Sequence, residues 1–278
     1  MGDIELMLGD VRNPAVVREA VSDVDHVCHL AAVNGTEFFY SAPELVLEVA
    51  VKGMVNVIDA CVAESVGELT LLSSSEVYQT PPRTPTDESV PLSIPDLMNP
   101  RYSYAGGKIV SELLAINYGR KHFERVVIVR PHNVYGPDMG REHVIPEFAL
   151  NMRRLALEGT GTIRFPIQGS GRETRAFVYI DDMIEGTLKV IGEGEHLGIY
   201  HVGTDEEVTI ERLGKAVGRY YGREVEIVPG PLKPGGTERR CPDLRKLRAL
   251  GYRPKVSLRE GLRRTLNWYD ANEEGDAR

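Results

Sequence analysis

Tyr104 and Lys108 stand four residues apart in the stretch RYSYAGGKIVSE (101–112), a spacing that puts both side chains on one face of a helix. A lysine ammonium beside a tyrosine hydroxyl favours the phenolate. The pair therefore predicts a tyrosine pKa drawn down from its ordinary value of about 10 toward use as a base near neutral pH. Gly106 and Gly107 lie between them. Each glycine costs a helix interior about 1 kcal/mol relative to alanine, so two in a row predict a close approach to the backbone. The same spacing also occurs in ordinary amphipathic helices, and the rest of the chain decides between the two readings.

The elements that must hold this pair alternate. IELMLGDV (4–11) reads as a strand, PAVVREAVSD as a short helix and VDHVCHLAAV as a buried strand. APELVLEVAVKGMVNVIDACVAES is a long helix, LTLLSSSEVY a strand, 81–100 a Pro-rich loop, then the Tyr104 helix and the strand RVVIVRP. Such βαβ alternation with apolar strands predicts a parallel sheet covered on both faces. After residue 135 the pattern loosens. HVIPEFALNMRRLALEG is helical, and TRAFVYIDDMIEGTLKVIG turns from strand into helix near Asp181 and Asp182. IYHVGT is a strand, TIERLGKAVGRYYG a helix capped by Thr209, and VEIVPGP a short strand; CPDLRKLRALGY and SLREGLRRTLNWYDANEE close the chain as helices. The final EEGDAR is expected to fray.

Bulk properties bound the function. The 278 residues carry 33 Lys+Arg against 41 Asp+Glu, a net charge of −8. That balance argues against nucleic acid or an anionic membrane as partner, so a polyanionic small ligand needs a local basic pocket. The apolar runs are strand-sized, and the acidic start lacks the basic region and apolar core of a signal peptide. Cys28, Cys61 and Cys241 form neither a zinc pattern nor a disulfide framework. A reduced cytoplasmic protein with no metal site is expected.

Four further stretches surround the Tyr–Lys pair: HLAA (29–32) and SSSEVY (73–78) at the ends of successive strands, RPHNVYGP (130–137) after the next, then GSGRETRAFVYIDD (169–182). Strand ends are where open α/β sheets place their chemistry. Together and in this order, the stretches resemble the extended short-chain dehydrogenase/reductase family, the NAD-dependent nucleotide-sugar epimerases and dehydratases, over nearly the whole chain. The resemblance implies an α/β fold, a Rossmann-like doubly wound parallel sheet with a small α+β C-terminal substrate domain. Residues 1–135 plus 165–193 would form the NAD-binding domain and 136–164 plus 194–278 the nucleotide-sugar domain. It also implies a homodimer through the helices at 43–64 and 101–121.

The resemblance implies site roles as well. Tyr104 would be base and acid at the sugar 4-hydroxyl, Lys108 would lower its pKa and hold the nicotinamide ribose, and Ser74 would hydrogen-bond the same hydroxyl. Asp10, Val11, Leu30, Ala31, Ala32 and Pro131 would contact the cofactor, NAD with NADP left open. Asn133 would hold the nucleotide-diphosphate sugar, and Arg175 and Arg240 would clamp its diphosphate with their forked donors. His29 and His132 read as structural. Hydride transfer from sugar C4 gives a 4-keto group that acidifies C5, and the next step depends on Ser75 and Glu76. A Ser–Glu pair here resembles 4,6-dehydratases and UDP-glucuronate decarboxylases, with Glu76 as general acid–base. NPRYSYAGGK resembles the decarboxylase-like branch, where Arg101 would face a substrate carboxylate.

Two departures stand out. Ala50 occupies a position where the family has asparagine, so a helix–sheet hydrogen bond is expected to be missing. No GxGxxG or GxxGxxG occurs in the 278 residues. The chain opens at what resembles the family's third strand, without the first βαβ unit of roughly 30 residues whose glycine-rich turn holds the NAD pyrophosphate. Direct pairing of 4–11 with 25–33 is the expected repair. Three readings follow: an active enzyme with a longer N-terminus, a non-catalytic nucleotide-sugar-binding remnant, or NAD held by another route with help from a second subunit.

Overall fold

A computed structural model describes residues 4–231 and 237–272. The helix α1 (Pro14–Ala20) is followed by β1 (His26–His29), α2 (Thr36–Ser41), α3 (Pro43–Ala63), β2 (Glu68–Leu72), α4 (Ser103–His122) and β3 (Arg125–Pro131). Then come β4 (Val134–Tyr135), α5 (Val144–Glu158), β5 (Ile163–Pro166), β6 (Thr174–Ala176), β7 (Val178–Tyr179), α6 (Ile180–Glu193) and β8 (Gly198–Val202). The chain closes with β9 (Glu207–Thr209), α7 (Ile210–Tyr220), β10 (Val225–Val228), β11 (Arg239–Arg240), α8 (Arg245–Ala249) and α9 (Leu258–Ala271). The Thr209 cap forms as read, while the helix expected to begin at Asp181 or Asp182 begins at Ile180 and the one expected from Cys241 begins at Arg245. Thr209 caps α7, accepting from Arg212 N (3.1 Å), and Ser257 caps α9, accepting from Glu260 N (3.3 Å).

The chain divides into two compact units. The first comprises the residues up to Tyr78, 92–130 and 190–200; the second comprises 79–91, 131–189 and the residues from His201 onward. Residues 165–189 thus pack with the second unit, whereas the sequence predicts 165–193 in the first. The cause is local pairing: β5 lies parallel to β10, β6 sits between β11 and β9, and β7 pairs with β4.

In the first unit the sheet order is β1-β2-β3-β8, with β1, β2 and β3 parallel and in continuous register. Residues 126–130 of β3 are all buried, as expected of a strand covered on both faces. One core joins Val17, Met54, Ile58, Leu69, Leu71, Val126 and Ile128. The core of the second unit gathers Tyr135, Ile145, Phe148, Phe165, Leu213 and Leu266, and α9 carries Trp268 edge-on to Tyr269 at 4.9 Å.

The close approach read from Gly106 and Gly107 is real at Gly107. A Cβ there would lie 2.6 Å from Ala50 Cβ, while one at Gly106 would make ordinary contact with Ile94. Ala50, in the place of the family's asparagine, is thus part of a tight α3–α4 crossing. Its carbonyl also accepts from Ser111 Oγ at 3.0 Å. Gly107→Ala must push the helices apart and is expected to destabilise by about 1–3 kcal/mol, read as a lower denaturant midpoint at unchanged slope.

The predicted first strand does not form, and the expected pairing of 4–11 with 25–33 is absent. Residues 4–10 run as exposed irregular chain, with Ile4, Leu6 and Leu8 at 92%, 83% and 88% exposure. A turn closed by Asn13 N donating to Asp10 O (2.8 Å) sends the chain straight into α1, and Asn13 caps that helix. Asn56 Nδ2 holds the Val11 carbonyl at 3.0 Å, so this segment is anchored to α3 and not to a strand. Among the described residues β1 pairs only with β2. LTLLSSSEVY is likewise strand only to Leu72; Ser75–Tyr78 form a 3₁₀ turn. The short helix α2 had no sequence-based prediction, and EEGDAR lies outside the described residues.

Candidate active site

The first unit brings Ser74, Ser75, Glu76, Tyr104 and Lys108 to the end of β2. Leu72 closes the strand, and the 3₁₀ turn after it carries Ser75 and Glu76, with Glu76 N donating to Ser74 Oγ (3.2 Å). Tyr104 is the second residue of α4, its ring stacked on Phe39 of α2 at 5.1 Å and 20°, and its hydroxyl hydrogen-bonded with Ser74. Lys108, one turn on, is only 4% exposed.

The pKa expectation for Tyr104 is overturned. Burial pushes the phenol up to about 12; the Ser74 hydrogen bond works against this and the nearby Glu76 charge adds to it. Lys108 does not lower it, because its ammonium is engaged elsewhere: Nζ donates to the Leu72 carbonyl at 2.6 Å and stands 5.9 Å from the Tyr104 ring centre. Burial draws Lys108 itself down to about 8, opposed by the Glu112 carboxylate. His29, buried at the end of β1, is held down to about 4 by burial and by Lys108, so it is a neutral imidazole at pH 7.

A second set of residues was not singled out in the sequence. Glu112 accepts from Arg130 Nε (2.9 Å) and Nη2 (2.5 Å) in a forked pair, with both side chains under 5% exposed. Ser73 Oγ also donates to Glu112, and Arg130 donates to the Tyr78 hydroxyl while lying 4.9 Å over that ring. Two signals were available: Glu112 is four residues beyond Lys108, and Arg130 is a charge ending an apolar strand.

Arg101 sits in the 3₁₀ turn Pro100–Tyr102, which Asn99 caps, and its Nε is buried without a hydrogen-bond partner. In the second unit, Arg175 and Arg240 are register partners on β6 and β11. Arg175 donates to the carbonyls of Thr174 and Thr237, each at 2.7 Å, and Arg240 reaches Thr237 Oγ1 at 3.3 Å. Asn133 adopts φ 42°, a left-handed conformation that asparagine tolerates better than most residues. Its Nδ2 donates to Ala176 O at 3.2 Å. His132 is buried edge-on to His201 at 4.6 Å. The second unit also holds a groove of about 910 Å³ between α7 and α9, which contains none of the predicted site residues.

The residues present fit one end of the expected cofactor. Tyr104 and Lys108, the residues expected to hold a nicotinamide ribose, stand together on α4 in the first unit, with Leu30, Ala31 and Ala32 following β1, whereas Pro131, which ends β3, belongs to the second unit. The pyrophosphate end is different. Among the described residues no glycine-rich turn enters a helix at the β1 edge, and the Asp10 carboxylate is bound to Arg12, which keeps it down near 2.

Residues 2–203 match the NAD dependent epimerase/dehydratase family. The chain is 34% identical over 262 residues to UDP-glucuronic acid decarboxylase 6 of Arabidopsis thaliana, covering 93% of this chain and 72% of that protein. It is 29% identical over 271 residues to a dTDP-glucose 4,6-dehydratase of Streptomyces antibioticus, covering 97% and 77%. Among solved structures it resembles DesIV, a dTDP-glucose 4,6-dehydratase from Streptomyces venezuelae with NAD bound. The TM-score is 0.82 at 31% identity, over 96% of this chain and 79% of that one. With the parallel sheet, the Ser–Tyr–Lys cluster at its strand ends and these likenesses in agreement, the chain belongs to the NAD-dependent epimerase/dehydratase family.

Proposed function

We propose that this chain binds a nucleotide-diphosphate sugar and NAD and acts through transient oxidation at sugar C4. The observation that carries this reading is the convergence of the half-buried Ser74, Glu76 and Tyr104 with the buried Lys108 at one corner of the sheet. NAD, when bound, supplies the hydride acceptor. Tyr104 takes the 4-hydroxyl proton, and Ser74 orients that hydroxyl. For Tyr104 to act as a base, the Lys108 ammonium must turn from the Leu72 carbonyl toward the phenol, where its charge favours the phenolate. Glu76 then serves the C5 proton as general acid–base. Arg175 and Arg240, adjacent in register, are assigned to the diphosphate, and Asn133 to the sugar nucleotide beside it. The exposed Leu47, Val55, Leu113 and Tyr118 on α3 and α4 are assigned to a homodimer face.

Among dehydration, decarboxylation and epimerisation we favour decarboxylation of a uronate. The buried, unpartnered Arg101 Nε is a donor in search of an anion, and a UDP-glucuronic acid decarboxylase is among the relatives. Arg101→Ala is expected to lower kcat/KM for a UDP-uronate about tenfold or more beyond its effect on UDP-glucose, since hydrogen bonds to charged groups contribute about 1.5–3 kcal/mol. Equal loss on both substrates removes the assignment.

A second reading, a sugar-nucleotide binder without turnover, draws on the lack of a glycine-rich turn in these residues. Calorimetric titration with NAD⁺, with and without UDP-sugars, separates the two. Saturable NAD⁺ binding is the expected result. Sugar-nucleotide binding by the folded chain with no NAD⁺ binding would favour the binder.

A further inference from the structure

Glu112 touches no predicted substrate or cofactor position, yet the elements of the candidate site meet on it. On α4 it lies one turn beyond Lys108 and two beyond Tyr104, so all three share a face. One carboxylate oxygen accepts from Ser73, the residue before Ser74, and from Arg130 Nε; the other accepts from Arg130 Nη2. Arg130 passes the linkage on to Tyr78, at the far end of the 3₁₀ turn that carries Ser75 and Glu76. Ser73 N is pinned in turn to the Val129 carbonyl at 2.8 Å. The turn between Ser73 and Tyr78 is thus held at both ends by one buried ion pair.

We propose that Glu112, paired with Arg130, is the positioning residue of this site: it locks the Ser73–Tyr78 turn against the Tyr104–Lys108 face of α4 and supplies the negative charge that keeps Lys108 an ammonium. This rests on the C4-oxidation reading for its role in turnover but not for its electrostatics. A buried pair of this kind contributes little net stability relative to an apolar substitute, so its worth lies in geometry and charge. The charged and titratable groups that act on Lys108 are Tyr104 and Glu112 on α4 and His29 on β1, with Glu76 next to Tyr104 and Arg130 paired to Glu112; the Leu72 carbonyl accepts a hydrogen bond from its ammonium. Of these, His29 is neutral at pH 7 and Glu76 stands beside the Tyr104 hydroxyl, while Glu112 opposes the burial of the ammonium directly. Without it, Lys108 loses its proton at a lower pH.

The test is a titration of Lys108 by ¹³C NMR in the intact chain labelled at lysine Cε, with the resonance assigned by Lys108→Arg. In the unsubstituted chain Lys108 is expected to titrate near pH 8. In Glu112→Gln the midpoint is expected to fall by about one pH unit or more, as loss of a neighbouring opposite charge requires, whereas Glu112→Asp keeps it close to the original value. Where turnover is measurable, the alkaline limb of kcat should move down with the NMR midpoint in Glu112→Gln. In Glu112→Asp the limb should stay and kcat should drop about tenfold through misplacement of the turn. An unmoved Lys108 midpoint in folded Glu112→Gln overturns the proposal. If that variant does not fold, a Glu112→Asp chain with undiminished kcat or a displaced limb overturns it instead. A shifted midpoint with no turnover in any chain would sustain Glu112's charge role and count against the C4-oxidation reading alone.

Discussion

Tyr104→Phe is expected to lower kcat by about 10³-fold, in the range that general acid–base groups contribute, while leaving the affinity for the sugar nucleotide nearly unchanged. The substitution removes one oxygen and keeps the ring. The stack on Phe39 at 5.1 Å therefore survives, and α4 has no reason to move. What is lost is the phenol oxygen that Ser74 hydrogen-bonds and that the proposed mechanism uses as proton acceptor. Because burial holds the Tyr104 hydroxyl near 12, the unsubstituted enzyme should also gain rate with rising pH until Lys108 begins to lose its charge near 8. Steady-state kinetics beside calorimetry of the sugar nucleotide check both halves. A Phe variant with near-normal kcat would mean that another group takes the proton, and a variant that no longer binds would mean that Tyr104 is a structural residue.

Arg130→Met should be a strongly destabilising change, by about 3–5 kcal/mol, because it takes the forked guanidinium partner from the buried Glu112 carboxylate and leaves it only the Ser73 hydroxyl and the Lys108 charge. Both side chains of the pair are under 5% exposed, so little solvent is available to compensate. The Tyr78 hydroxyl and its ring lose the guanidinium at the same time. Adding Glu112→Leu to the same chain should recover most of the loss, since replacing both charges is far cheaper than removing one. Denaturant midpoints from far-UV circular dichroism of the two single variants and the double variant test this. Additive losses would show that Arg130 and Glu112 do not act as a pair.

Much of the architecture was legible because it rests on local rules. RVVIVRP, built on the apolar run VVIV, becomes β3 at its predicted bounds, and the Thr209 cap starts α7 where a side-chain oxygen precedes apolar periodicity. Tyr104, Lys108 and Ser74 were found because motif order survives without knowledge of packing. The misreadings share one cause, a dependence on distant partners. IELMLGDV has the composition of a strand, but a strand exists only when paired, and here a turn at Asp10–Asn13 diverts it into α1. The Tyr104 pKa was misjudged because i, i+4 spacing says nothing of where a lysine's long side chain ends; a carbonyl 36 residues earlier in the chain holds it. Glu112 and Arg130 went unnoticed because burial, and not residue type, makes an ion pair consequential.

Trp268 is the chain's one tryptophan, and it belongs to α9 in the second unit. Its emission is therefore a built-in spectroscopic label for that unit. An Arg130→Met chain could lose its first unit while its tryptophan spectrum stayed native. Emission and circular dichroism melts that separate in this variant would show the two units unfolding independently; melts that coincide would show that damage in the first unit is felt in the second.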